Sequence, residues 1–272
     1  MRASLTTLAL IALVSIPVFL SGYAAQEALE SQPGLPADMI QAHRDAAFLA
    51  FILMEMTGLF SWIALWQYRQ ASRRPHLILS IVLVIAAVTL AVMAGAANIG
   101  GRIGHEEIRA DQVMTVPVWI TSAAVHDFMN GPWWVWASNE TLHFIGLSIL
   151  FGVALVLNLR LLGMLKGVSF AALERLLPWG VLGFGINLIT GTLFVMGDPS
   201  QYTMNAAFYW KMACVLPAAG TFLYFTTSEK LAAVGSGDDA PLMAKLVAAA
   251  SLFFWGGVLY FGRMLPYLGN AY

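Results

Sequence analysis

Seven long apolar stretches constrain the fold of this chain more than any other feature of its sequence. Each one is long enough to cross a bilayer, which takes about 20 mostly apolar residues in a helix. Charged residues make up 11% of the 272 residues, whereas a soluble domain carries roughly a quarter. The sequence therefore predicts an all-α, polytopic integral membrane protein with seven transmembrane helices, at residues 4–24, 40–67, 77–99, 140–164, 172–197, 204–226 and 243–263.

The first of these stretches has two interpretations. Arg2, an apolar run and the small residues in Ser21–Ala25 also fit a secretory signal peptide. The run is longer than the apolar part of a typical signal, so we favour a retained helix. Both interpretations place residue 26 on the outer side of the membrane, so the predicted topology of the rest of the chain is the same in both.

Basic residues predict the orientation, because Lys and Arg are enriched in cytoplasmic loops. The segment 25–39 carries only acidic charges. The basic residues gather instead between helices two and three, four and five, and six and seven, at Arg69, Arg73, Arg74, Arg160, Lys166, Arg175, Lys230 and Lys245. This pattern places the N-terminus inside and the C-terminus outside, and we expect the membrane to be a bacterial inner membrane.

The longest predicted connection divides the chain into three parts. Residues 1–110 form a three-helix membrane half, residues 111–139 an outer interfacial segment, and residues 140–272 a four-helix membrane half. Asn139 has the residue type and position of an N-cap for the fourth helix. Just before it, the outer segment carries an aromatic belt of the kind found at membrane interfaces, at Trp133, Trp134 and Trp136.

Charge and cysteine content exclude several classes of protein. The net charge is −1, which gives no basic surface for binding nucleic acid. Cys214 is the only cysteine, so the chain can form no internal disulfide. It also has no CxxCH motif for covalent c-type haem and no set of cysteines for zinc.

Four of the five histidines converge on the predicted outer face. His43 lies at the start of the second helix and His105 directly follows the third. His126 lies in the outer segment, and His143 is predicted in the first turn of the fourth helix. His76 alone is predicted to be cytoplasmic, at the start of the third helix. This convergence predicts a ligand site at the outer face.

The site we favour is a b-type haem with His43 and His105 as axial ligands. Haem needs imidazoles on opposite faces of a flat slot. Residues without a side chain let a flat group approach the backbone, and four of them precede His105, at Gly95, Gly100, Gly101 and Gly104. His143 is the substitute axial ligand, or it forms a second site together with His126.

Two other interpretations of these histidines stay open. The first is a metal ion such as copper, held by the histidines and by nearby carboxylates. The candidate carboxylates are Glu106, Glu107, Asp127 and Glu140. The second is that each histidine only forms hydrogen bonds with loop backbone.

Two charged residues lie more than five residues from either end of a predicted span, where ionisable groups are costly and often functional. Glu55 lies twelve residues beyond His43, about 18 Å along a helix. It is a candidate for a proton path or a quinone headgroup contact, or a neutral carboxyl bonded to a neighbouring helix. Lys211, in helix six, either snorkels to the outer surface or pairs with a haem propionate or another carboxylate.

Both halves of the chain resemble known families. His43 and the Gly100-Gly101-Arg102-Ile103-Gly104-His105 motif resemble small membrane proteins predicted to bind haem, over residues 1–110. Residues 138–268 are distantly similar to the membrane part of CopD-type copper-resistance proteins, through Glu140–Gly146, Asn158–Gly163, Phe208–Lys211, Trp255 and Gly262–Arg263. These resemblances imply a role with haem or copper.

The sequence therefore predicts a membrane electron-transfer subunit with haem b near the outer, periplasmic face. Quinol is a candidate electron donor, with Glu55 as the proton acceptor, and the expected partners are membrane lipid and a periplasmic cytochrome or larger redox complex. An alternative is a copper-type metal-ion transporter that uses intramembrane polar groups, at Glu55, Asn187 and Lys211. A third is a structural anchor for a larger complex.

Overall fold

The computed structural model describes residues 1–30, 37–70, 76–104 and 121–268. Within these ranges the chain is almost entirely helical and contains no strand. Its α-helices are α1 Arg2–Glu30, α2 Ala37–Gln70, α3 His76–Gly104, α4 Ser122–Asn130, α5 Val135–Leu161, α6 Phe170–Leu173, α7 Leu177–Gly197, α8 Pro199–Thr203, α9 Ala206–Thr227, α10 Glu229–Ala232 and α11 Leu242–Leu268.

Seven helices of the described chain are long and apolar enough to cross a membrane: α1, α2, α3, α5, α7, α9 and α11. The short 3₁₀ turn Glu174–Leu176 and helix α6 lead into α7. The prediction of an all-α integral membrane protein with seven spanning helices is confirmed. The direction in which the helices cross, and the identity of the membrane, stay predictions.

The start of the fourth spanning helix differs from the prediction. Helix α5 begins at Val135, so Asn139 lies inside it and is not its N-cap. The Asn139 side chain is buried, and its amide donates a hydrogen bond to the Thr190 carbonyl of α7 at 3.0 Å. An asparagine that reaches a neighbouring helix need not end its own. His143 therefore lies about two turns inside α5, not in its first turn.

Small residues let the spanning helices pack closely in pairs. A Cβ atom at Gly58 of α2 would lie 2.2 Å from the Ala12 Cβ of α1. A Cβ atom at Gly183 of α7 would lie 2.7 Å from the Gly146 carbonyl oxygen of α5. Such approaches are typical of membrane helix contacts, where small residues bring backbones together. The main apolar core contains residues of α1, α2 and α3 as well as of α5, α7, α9 and α11.

The bundle has one end rich in arginine interactions, which we call the basic end. The guanidinium of Arg69 in α2 donates to the carbonyls of Phe225 and Thr226, both at 2.7 Å, and pairs with the Glu174 carboxylate. Arg160 is fully buried and donates to the carbonyls of Val168, Gly235 and Asp238. These arginines join helix ends and loops that are distant in sequence.

The opposite end carries His43, His126 and His143, and we call it the histidine end. Helix α4 is attached there to α2 by Asp45, whose carboxylate accepts hydrogen bonds from the Ser122 amide at 2.8 Å and hydroxyl at 2.6 Å. An acidic side chain at the first turn of a helix also complements its dipole. The His126 ring then donates through Nδ1 to the Met196 carbonyl of α7 at 3.2 Å. Helix α4 thus joins α2 to α7.

Candidate functional site

A cavity of about 430 Å³ opens at the histidine end, between α5, α7, α9 and α11. Part of α1 and α2 closes its remaining side. Most of the wall is apolar, and the aromatic side chains on it are Phe19, Phe51, Trp136, Phe144, Phe184, Phe194, Phe208 and Trp255. The polar and charged side chains on it are Glu140, His143, Asn187, Thr192, Gln201, Tyr202, Lys211 and Arg263. Apolar cavities with a few convergent polar groups are typical ligand sites.

The imidazole of His143 is held in one orientation on the cavity wall. Its Nδ1 lies 2.7 Å from the Thr190 hydroxyl oxygen, and that hydroxyl donates to the Ile186 carbonyl, also at 2.7 Å. A hydroxyl has a single hydrogen, so we assign Nδ1–H of His143 as the donor to Thr190. The Nε2 atom then carries the lone pair, as a metal-ligating imidazole requires.

Two residues of α7 fix the plane of this ring. A Cβ atom at Gly191 would lie 3.7 Å from His143 Cε1, so the ring packs against the backbone of α7. Phe194 meets the imidazole edge to face, with ring centroids 5.7 Å apart. Because Thr190 also fixes the tautomer, the orientation of His143 is set before any ligand enters. Preorganised ligand side chains of this kind raise affinity for the group they bind.

Lys211 is the second notable group on the wall. It lies five residues after the start of α9 and is partly buried, and no hydrogen bond or ion pair joins its ammonium to another described residue. Its Cε and Nζ lie 3.7 and 3.8 Å from where a Cβ of Gly262 in α11 would stand, so the lysine lies beside α11 at ordinary contact distance. Arg263 differs, because it is exposed and donates to the Tyr267 hydroxyl at 3.1 Å.

Two further polar groups on the wall were not singled out from the sequence. Trp255 of α11 is 2% exposed, and its indole Nε1 has no hydrogen-bond partner in the described chain. Tyr202 in α8 stands at the rim, where burial, and to a lesser degree the Asp198 and Glu140 carboxylates, raise the pKa of its phenol. Tyr202 therefore stays protonated and can donate a hydrogen bond.

The His43 site is packed differently from the His143 site. The His43 ring donates through Nδ1 to the Ala96 carbonyl of α3 at 2.9 Å. A Cβ atom at Gly100 would lie 2.8 Å from His43 Cε1, so Gly100 makes room for the imidazole itself. A Cβ at Gly101 would meet no atom of the described chain within 4 Å. His105, together with Glu106 and Glu107, lies outside the described residues, so pairing of His43 with His105 stays a prediction.

His126 and Glu55 do not line the cavity. The Glu55 carboxyl is buried in α2 and lies 2.7 Å from the Ser15 hydroxyl of α1. Ser15 also lies 2.8 Å from the Ala12 carbonyl oxygen, and its single hydroxyl hydrogen can be donated to only one of these two acceptors at a time. Glu55 is one helical turn from Phe51, which does line the cavity.

The ligand set of a simple metal ion is not found in the described ranges. No three side chains of His, Cys, Asp or Glu come together there. Glu140 and His143 share the wall, and Asn187 beside them already donates to the Gly183 carbonyl of its own helix at 3.0 Å. A single imidazole beside an apolar cavity is better suited to a ligand that brings most of its own metal coordination.

The spacing of the lining residues along α5 is the one sequence pattern that could have predicted this side of the cavity. Lining residues recur on one face of the helix at Trp136, Glu140, His143, Phe144, Leu147 and Leu150. That periodicity marks a face, but it does not tell a cavity from a packed core. Thr190 of α7 forms a hydrogen bond between helices through His143 of α5.

Among the comparisons with known proteins, one family profile matches this chain. No curated protein and no solved structure matches the chain. A family profile described as a family of unknown function, DUF6644, matches residues 131–268, which include α5 to α11 and hence His143, Lys211 and Trp255. The match covers half of the chain, and on this basis the protein belongs to the DUF6644 family of unknown function.

Proposed function

We propose that this protein is a membrane electron-transfer subunit that binds haem b in the cavity at the histidine end, with Nε2 of His143 as an axial ligand. The observation that carries the proposal is the imidazole of His143 on the wall of a cavity of about 430 Å³, with its Nδ1–H held by Thr190, so that Nε2 is the atom left to bind a ligand. Haem iron is commonly held by such an imidazole.

The rest of the wall fits a flat, largely apolar group. Phe19 and Phe51 stack with centroids 4.4 Å apart and form the α1–α2 side of the cavity. Phe194 and Trp255 line the other side. These side chains would exclude water and hold the macrocycle by apolar contact. Bound haem supplies one-electron chemistry, and the protein supplies its ligand, its orientation and its surroundings.

The proposed ligand set differs from the pair favoured by the sequence. His143 is the only histidine on the cavity wall in the described chain. Met212 of α9 also lines the cavity, and its thioether would be the candidate for a second haem ligand, since His and Met together are an established ligand pair. A centre ligated by His43 and His105 would be a separate site between α2 and α3.

Several finer expectations belong to the same proposal. Quinol is the candidate electron donor, and Glu55, one turn from the cavity wall, is the candidate proton acceptor. The electron acceptor would be a periplasmic cytochrome or a larger redox complex, at the outer face of a bacterial inner membrane. The burial of the Glu55 carboxyl within α2 supports its role as proton acceptor, because an ionisable group inside a membrane span is a candidate for proton transfer.

Purification in mild detergent followed by absorption spectroscopy and metal analysis tests the proposal. We expect a Soret band, α and β bands that sharpen on reduction with dithionite, and one iron per chain. Copper in place of iron would favour the metal-ion transporter instead. A folded protein that stays colourless after haem is added would refute haem binding.

A further inference from the structure

We infer that the cavity recognises a carboxylate carried on an apolar body and that the ammonium of Lys211 is the group that pairs with it. The inference deepens the proposed function, because a haem propionate is one such carboxylate. It does not depend on haem, because a long-chain fatty acid presents the same chemistry. The two sources are separated by the experiment below.

The first reason is that Lys211 has no counter-ion in the described chain. A cation within a spanning helix is costly unless it is paired or faces a polar cavity. Other basic side chains of the spans have partners. Arg69 pairs with Glu174, Lys245 with Asp239 at 2.5 Å, and Arg263 bonds to Tyr267. Lys211 faces the cavity without such a partner, which is the arrangement expected of a residue that awaits an anionic ligand.

The second reason is the charge of the cavity wall. Its charged side chains are Lys211, Arg263 and Glu140. Arg263 and Glu140 are exposed at the rim and opposite in sign, whereas Lys211 is partly buried. An imidazole is mostly uncharged above about pH 6.5, so at neutral pH His143 adds little positive charge to this wall. One uncompensated positive charge inside the cavity matches a singly charged carboxylate better than a doubly charged phosphate.

The third reason is the order of the groups along the helices. Lys211 lies five residues from the start of α9, about 7.5 Å along the axis, and His143 lies eight residues from the start of α5, about 12 Å along. Trp255 lies thirteen residues from the end of α11, about 20 Å along. A ligand held by Lys211 would thus place its carboxylate nearest the opening and its apolar body deeper, against aromatic side chains.

The experiment compares acids with their esters in several variants. Binding of haem and of haem dimethyl ester is followed by the Soret band, and binding of palmitate and of methyl palmitate by calorimetry, all in one zwitterionic detergent. The variants are wild type, Lys211→Met, Lys211→Arg and Lys230→Met, the last of which removes an exposed lysine far from the cavity. Melting curves confirm that each variant is folded.

We expect the wild type to prefer the acid over the ester, and this preference to fall about tenfold or more in Lys211→Met, since a charge-assisted hydrogen bond is lost. Lys211→Arg should keep most of the preference, and Lys230→Met all of it. Esterification also changes how much ligand enters the detergent micelles, but this change is the same for every variant. A difference between variants in their preference for the acid therefore arises at the binding site.

Unequal outcomes for the two ligands separate this inference from the proposed function. Palmitate discrimination that depends on Lys211, in a protein that does not bind haem, would support the inference and refute the haem proposal. Equal affinity for acid and ester with both ligands, in a wild type that binds haem, would overturn the inference and leave the haem proposal standing. A preference for acids that is unchanged in Lys211→Met would also overturn it.

Discussion

The Arg69–Glu174 ion pair at the basic end of the bundle and the cavity at its histidine end differ in how their polar groups are paired. At the basic end, Arg69 is bonded to two helix-terminal carbonyls and to the Glu174 carboxylate, and both side chains of that ion pair are almost fully buried. At the histidine end, Lys211 has no partner, Trp255 keeps a free indole N–H, and His143 keeps a free lone pair in the described chain.

This difference suggests a division of labour within one bundle. Buried polar groups that are fully bonded specify how helices meet, whereas those left open are costly and persist where a ligand completes them. Under the proposed function, the basic end contributes mainly to the stability of the bundle, and the histidine end mainly to binding. In natural proteins, buried polar groups without hydrogen-bond partners are commonly found at functional sites.

The largest expected effect comes from Arg69→Met at the basic end. It leaves the Glu174 carboxylate buried without its partner, which should destabilise the protein by about 3–5 kcal/mol. Arg175→Met, which removes an exposed arginine one residue from Glu174, is the matched control and should have little effect. Chemical unfolding in detergent measures both variants. Equal stability of the two would contradict the role assigned to the basic end.

Gly100→Ala tests whether the region around His43 is tightly packed, in contrast to the open cavity beside His143 at the same end of the bundle. In Gly100→Ala the new methyl group would lie 2.8 Å from His43 Cε1 and 3.1 Å from Nδ1. We expect a loss of stability of about 1–3 kcal/mol, typical of overpacking. Gly101→Ala meets nothing within 4 Å and should be neutral or slightly stabilising. Indistinguishable melting curves would show that His43 moves aside freely.

Thr190→Val should weaken the ligand site with little effect on the fold. It removes the oxygen that accepts from Nδ1–H of His143, and loss of such a supporting contact commonly lowers affinity for a metal centre by about 10- to 100-fold. Haem titration measures the change. Thr141→Val is the control on α5, because its exposed hydroxyl bonds only to the Ala137 carbonyl of its own helix. The same affinity in both variants would remove Thr190 from the site.

The smallest expected effect concerns pH at the basic end. Hydrogen bonds from Lys245 and then Lys166 lower the pKa of Asp239 from 3.8 to about 2. Because the folded value is the lower one, the carboxylate contributes stability above about pH 4 and loses it as the pH falls towards 2. The contribution is small, since the group is exposed and screened by salt.

Melting curves between pH 5 and 2, at low and high salt, measure this contribution. Asp239→Asn should remove the part of the pH dependence that falls between about pH 4 and pH 2, where the wild-type carboxylate takes up its proton. An unchanged profile in that variant would assign the acid sensitivity to other carboxylates.

The fold could be predicted from the sequence because each spanning helix carries its own signal, an apolar stretch of sufficient length. The start of α5 at Val135 was missed, because Trp133 to Trp136 suit a membrane interface as well as a helix, and Asn139 suits a cap as well as a buried contact. Only the position of Thr190 on the facing helix decides between those roles.

Only some of the residues that line the cavity were named from the sequence. His143 and Lys211 were singled out, but His143 ranked behind His43 and His105 because a glycine-rich stretch next to a histidine looked like a slot for haem. In the fold, Gly100 accommodates the His43 ring instead. The cavity itself depends on how α5, α7, α9 and α11 approach one another, and no local pattern in the sequence records that spacing.

The most direct test of the central claim is the Soret absorbance per chain in His143→Leu and His43→Leu, each purified from haem-supplemented cells and verified as folded. The account predicts that His143→Leu loses the band and that His43→Leu keeps it. Retention of the full band in His143→Leu, or its loss only in His43→Leu, would contradict the assignment of the cavity as the haem site.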